Sequence, residues 1–183
     1  VHMGLFGVDK NYEAVPLLCG SYAVSEDLMT YYFYLAPGAT FSDGTAVTMN
    51  DVYASYQVAQ ETEMYRNRFY HFSDISVNEA GALVVQLDTA FENLPILMDI
   101  PIIKASEVDS DRPLGAGPYF FENSISGLQL RRRTNWWCES EDLAAAATSV
   151  SLTVAESPSQ IRNEFQFANV DLVVADPGSD FYA

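Results

Sequence analysis

Apolar and polar positions alternate most clearly over residues 30–35, Thr-Tyr-Tyr-Phe-Tyr-Leu. A period of two places Tyr31, Phe33 and Leu35 on one face and Tyr32 and Tyr34 on the other, which predicts a strand. Pro37-Gly38 ends it, since proline lacks the donor a ladder needs and glycine tolerates the turn. Phe41 restarts an extended segment, and Ser42-Asp43-Gly44-Thr45 reads as a reversal with Gly44 free to take positive φ. At Thr48 the period changes from two to 3.6. The Thr48 hydroxyl can cap first-turn amides, Asp51 suits the positive end of a helix dipole, and Val52, Tyr56 and Ala59 fall on one stripe of a helix running to about residue 61.

Farther along, residues 72–77 and 82–87 read as two strands around the turn Asn78-Glu79-Ala80-Gly81. Residues 94–98 suggest a short helix with Pro95 in its first turn. Residues 119–122 and 128–132 suggest a hairpin turning at 125–127. Residues 150–154 alternate like a half-buried strand. Ser157-Pro158 opens a second helix, with Ile161, Phe165 and Ala168 expected inward. Residues 170–174 form a short apolar run suited to a covered sheet. The pattern is mixed α/β, without repeats, low-complexity tracts or a long linker.

Composition supports a globular chain: 49% of the 183 residues are apolar and 19% charged, enough for a core in one large or two small domains. Nine basic against 25 acidic residues give a net charge of −16. That excludes nucleic acid as a partner, because phosphates need a basic face, and it excludes electrostatic docking on anionic lipid. The excess acid serves solubility, or it lines a cleft that favours cationic solutes. No apolar run approaches the ~20 residues a transmembrane segment needs, and no signal peptide is visible. Cys19 and Cys138 lie far apart, with no CxxC and no metal-ligand spacing. Either two free thiols or one disulfide is compatible with them. The only histidines are His2 and His71, and neither a nucleophile elbow nor an HExxH motif occurs, which weighs against hydrolytic catalysis. No cofactor motif appears.

Several short motifs follow one another in a recognisable order. Ser25, Asp27, Thr30, Tyr31, Phe33, Leu35, Gly38, Ala39, Phe41, Asp43, Gly44, Thr48, Asp51 and Val52 form the first and longest. The stretch from Val15 through Pro16, Leu17 and Leu18 to Tyr22 precedes it. Pro113-Leu114-Gly115-Ala116-Gly117-Pro118-Tyr119, then 130–137 with Trp136-Trp137, then 165–171 with Asp171 come after. In this order they resemble the extracellular solute-binding proteins of peptide-type ABC importers, family 5. The chain departs from that pattern at Ala36, Ala46 and Met49, carries Cys19 in an alanine slot, and has Arg133 and Thr134 where Asn and Pro are usual. Asn169 stands for a glycine, a mild exchange at a left-handed helix cap.

The resemblance implies the first lobe of a periplasmic-binding-protein-like fold (class II, cluster C). Residues 1–16 and 103–183 would then build part of a large lobe, 17–102 an inserted mixed α/β subdomain, and the second lobe would lie outside this chain. It implies no catalysis and no cofactor. A peptide or similar small solute would be held between two lobes and delivered to a membrane permease. The setting would be periplasmic or on the cell surface through a lipid anchor, with the signal segment upstream. In relatives the region matching 64–72 can bring a tyrosine to the ligand, so Tyr65 and Tyr70 are candidate contacts. Arg66 and Arg68 are candidate partners for a carboxylate. Gly115 and Gly117 would serve a close backbone turn near the cleft and hinge. Asp43-Gly44 is turn chemistry; Trp136-Trp137 could form a stacking platform for a sugar or a peptide aromatic, and the resemblance implies packing for at least one of them. A noncatalytic surface-interaction module using exposed tyrosines, and less readily a carboxylate-dependent hydrolase, are the alternatives from other functional classes.

Overall fold

A two-stranded ribbon opens the fold. Strand β1 (Phe6–Val8) runs antiparallel to β2 (Ala14–Pro16), with Gly7 opposite Val15. The turn between them is closed by Asp9, whose carboxylate accepts from the backbone N–H of Asn11 and of Glu13, both at 2.8 Å. That closure holds Tyr12 at φ 64°, in the left-handed region that a residue with a Cβ enters only at a cost. The computed structural model describes residues 1–124, 127–138, 143, 145–154, 157–167 and 170–173.

Four antiparallel strands follow: β3 (Cys19–Val24), β4 (Thr30–Leu35), β5 (Phe72–Val77) and β6 (Leu83–Leu87), in the order β3-β4-β6-β5. The alternation in β4 does what its pattern predicts. Tyr31 and Phe33 are fully buried on one face, and Tyr34 is exposed on the other. Gly38, Gly44 and Gly81 all adopt positive φ at the predicted turns. Helix α1 (Met49–Glu61) buries Val52, Tyr56 and Ala59 as its stripe requires. The Thr48 side chain caps Asp51 N–H, and Asp51 returns a hydrogen bond from Thr48 N–H at 2.8 Å. The other Asp51 oxygen accepts from Ala105 N–H at 2.8 Å, so the cap also pins the chain where it leaves residue 104.

One apolar core joins the ribbon to the sheet and helix. Met3, Leu5 and Phe6 pack with Phe33, Phe41, Val52, Tyr56, Met98, Ile102 and Ala116. The four-stranded sheet lies inside residues 17–102, yet its core is continuous with the segment before it. A third sheet, β7 (Tyr119–Ser124), β8 (Gly127–Arg132) and β9 (Ser149–Ser151), stands beyond. Its hairpin turn at 125–126 lies outside the described residues.

Three predicted features differ. β9 spans three residues and is exposed on both faces, because it is a short edge strand pairing only with β8. Helix α2 (Pro158–Gln166) starts as predicted, with Ser157 accepting from Gln160 N–H, but Phe165 is exposed. Residues 170–173 form no strand among the described residues, and Leu172 is exposed. All three rest on periodicity alone, which gives a side chain's direction without the element that would cover it. Ala168, Asn169 and 174 lie outside the described residues.

Candidate functional site

The aromatic–arginine segment predicted to meet a ligand follows α1. Residues Arg66–Phe69 make one 3₁₀ turn. Arg68 turns inward and donates from Nη2 to Asp99 Oδ2 at 2.8 Å, while its guanidinium carbon lies 5.9 Å from the centre of the Tyr65 ring. Its Nε–H and the second Asp99 oxygen are buried without partners, so the fork grips Asp99 with one tine. Tyr65 is half-buried beneath it. Arg66 is exposed and only loosely near Glu63, at 3.8 Å. Tyr70 is 80% exposed, its ring edge-on to His71. Phe69 and Phe72 pack beneath the segment, with Phe69 edge-on to Tyr56. The segment thus divides: Tyr65 and Arg68 are held by neighbours, and Arg66 and Tyr70 stand open.

Gly115 and Gly117 lie elsewhere, against the N-terminal residue. Gly117 N–H donates to Val1 O at 2.7 Å, and a Cβ at either glycine would collide with the Val1 carbonyl. Their smallness therefore serves a close backbone approach, as expected. The next carbonyl along, Ala116 O, accepts both indole N–H groups of Trp136 and Trp137 at 2.9 Å. Both tryptophans thus pack against the core. The three consecutive arginines have separate partners. Arg131 meets Glu122, Arg132 the carbonyls of Ala145 and Ala146, and Arg133 the carbonyls of Thr40 and Phe41.

The chain also has a cleft of about 880 Å³ that none of these residues lines. Its walls are Phe6, the turn residues Tyr12 and Glu13, Ala14 and Pro16 of β2, Cys19 to Tyr22 of β3, and the loop from Phe91 to Ile96. The loop is anchored from below, where the Tyr31 hydroxyl donates to Phe91 O at 2.8 Å and lies 3.2 Å from Glu92 O. Burial raises the Tyr31 hydroxyl above its ordinary value, and the nearby Tyr22 and Glu92 add to that rise. Cys19 and Cys138 are free thiols. Burial pushes Cys19 up to about 11 against the hydrogen bonds around it, so it stays protonated and inert at neutral pH. Sequence reasoning passed over this cleft. The available signal was a recurring pair, an aromatic followed by an acid, at Tyr12-Glu13 and again at Phe91-Glu92 in otherwise polar loops.

The pattern of the bacterial extracellular solute-binding proteins, family 5 Middle, matches residues 13–182. The chain belongs to this family. Family 5 proteins bind solutes and are not enzymes. Among curated relatives, the glutathione-binding protein GsiB of Pectobacterium atrosepticum is 28% identical over 150 residues, covering 74% of this chain and 29% of the relative. GsiB of Shigella boydii is 26% identical over the same shares. The chain thus spans about three-tenths of the length of these relatives. Solved structures share the mixed α/β fold of periplasmic binding proteins. AgaA from A. tumefaciens R10, in complex with agropinic acid, superposes with a TM-score of 0.75 at 24% identity, over 93% of this chain and 37% of that one. The oligopeptide-binding protein AppA from Bacillus subtilis, with a nonapeptide, gives 0.72 at 15% over 93% and 37%. No described helix is long and apolar enough to cross a membrane.

Proposed function

We propose that this family 5 chain is part of the extracytoplasmic solute-binding component of an ABC importer. It captures peptides or similar small solutes and presents them to a membrane permease. The family match over residues 13–182 carries the reading. The relatives' printed ligands, glutathione in GsiB and a nonapeptide in AppA, make peptides the first class to test. In this reading residues 1–16 and 103–183 contribute to one lobe, 17–102 form the inserted subdomain, and a further lobe completes the clamp. Binding energy then favours the closed arrangement that a permease recognises. The protein works outside the cytoplasm, periplasmic or tethered at the surface by lipid.

In this reading Arg66 and Tyr70, both exposed, reach cargo, the first through a carboxylate and the second through its ring. Tyr65 and Arg68 shape the segment, and Gly115 and Gly117 let the chain pass close to Val1. The test is thermal unfolding of the complete gene product with glutathione and with peptides of two to nine residues. A solute at a hundred times its Kd adds about 2.7 kcal/mol, which raises Tm by several degrees. Arg66→Ala with Tyr70→Ala should reduce that shift. A Tm indifferent to every peptide offered would remove the peptide reading.

A further inference from the structure

We infer that the cleft beside the ribbon is a separate binding site for an organic ammonium cation. Its makings are Tyr12, Tyr22, Phe91, Glu13, Glu92 and Asn93, all facing one concavity of about 880 Å³. That volume lies within the range of small-molecule pockets. Charge selects the class of ligand. Glu13 and Glu92 are the only ionised side chains in the lining. Among the described residues neither takes part in an ion pair with a basic side chain. An anion would meet two carboxylates and no compensating base. A metal is poorly served as well, since no cluster of three or more metal-ligating side chains occurs among the described residues. An ammonium group finds both things it needs, carboxylates for its charge and ring faces for its alkyl shell.

The aromatic groups are presented on rigid supports. Tyr22 is held edge-on by Phe6 at 5.7 Å and stacked on Phe33 at 5.8 Å, which leaves it half exposed toward the cleft. Tyr12 is 82% exposed on a turn that Asp9 closes at three points, through the side chain and backbone of Asn11 and the N–H of Glu13. The Tyr31 hydroxyl holds the Phe91 carbonyl from beneath, so the opposite wall is anchored too. None of the residues assigned to solute capture above lines this cleft, so the inference stands independently of that reading.

The probe is choline, and the control is 3,3-dimethylbutan-1-ol, which has the same shape without the charge. Amide chemical shifts of the full chain are followed at pH 7 with ionic strength held constant by NaCl. Choline should move the amides of Ser21, Tyr22, Glu92 and Asn93 saturably, with the alcohol at least about tenfold weaker. Tyr12→Gly suits the positive φ and keeps the turn, and Glu92→Gln keeps the shape of the loop. Each should weaken choline about fivefold or more while the rest of the spectrum stays in place. Tyr70→Ala should leave choline binding unchanged. Equal binding of choline and alcohol overturns the inference. So does an absence of cleft shifts at about 10 mM choline, or indifference of the affinity to both cleft variants.

Discussion

Asp43 shows how a residue chosen for a turn acquires a second task. Its Oδ1 accepts from Thr45 N–H at 2.9 Å and from the Thr45 hydroxyl at 2.7 Å, closing the reversal in the manner its sequence predicts. Its Oδ2 pairs with Lys104, sixty-one positions away, which no local pattern reveals. Burial alone would raise the carboxyl, but Lys104 and Thr45 outweigh it and hold the group near 2, against an ordinary 3.8. A depressed carboxyl contributes stability in full above its unfolded value and loses it as pH falls toward the folded one. Asp43→Asn keeps an acceptor for Thr45 and removes the charge. At pH 6 it should therefore lower stability by about 1 kcal/mol, or roughly 2–4 °C in Tm. The gap between variant and parent should shrink from pH 4 downward and vanish only once pH falls below about 2. Thermal scans at pH 6, 4 and 3 check this, and a gap constant across them would assign the loss to the turn.

At the scale of elements, α1 is the junction of the fold. Its capping box could be read from Thr48 and Asp51, and its buried stripe from spacing alone. What spacing leaves out is the second use of Asp51, whose Oδ1 takes the Ala105 N–H, and of Ser55, whose hydroxyl donates to Asp51 O at 2.7 Å while accepting from Ile103 N–H at 2.9 Å. Thr48→Ala removes one cap and should cost about 1 kcal/mol. Asp51→Ala removes the cap and leaves a partly buried amide unpaired, so about 2–3 kcal/mol is expected. Urea unfolding with unchanged slope measures both, and equal losses would mean that the bond to residue 105 contributes nothing. The same contrast explains what was legible. Elements with a full local signal, such as β4, the Gly44 and Gly81 turns and α1, were placed by sequence. β9 and the inner face of α2 depend on which neighbours cover them, and periodicity cannot supply that. The segment 64–72 was visible by composition, but only tertiary pairing separates Arg68, gripped by Asp99, from Arg66, which stands open. The cleft was missed because its walls come from four separate stretches, and no stretch carries more than three of its six chemical groups.

The whole molecule carries −16 charges on 183 residues, and its acids and bases do not balance locally. Close pairs among the described residues include Arg68–Asp99 at 2.8 Å, Arg131–Glu122 at 3.1 Å and Lys104–Asp43, with looser contacts at Arg66–Glu63 and His71–Asp88. Two electrostatic effects therefore compete when salt is added. Screening weakens attractive pairs, each worth at most about 1 kcal/mol at a surface, and relieves repulsion among the many unmatched carboxylates. Distance decides between them. The screening length is about 30 Å at 0.01 M and about 8 Å at 0.15 M. Pairs a few ångströms apart lie inside both lengths and change little, whereas repulsions between 10 and 30 Å are removed almost entirely. Stability of this chain should therefore rise with ionic strength, by a few degrees in Tm between 0.01 and 0.15 M NaCl at pH 7. Repeating the scan at pH 4, where part of the acid is neutralised, should give a smaller rise. Differential scanning calorimetry reads both slopes. A Tm that falls with salt at pH 7 would show that the close pairs outweigh the surplus of negative charge.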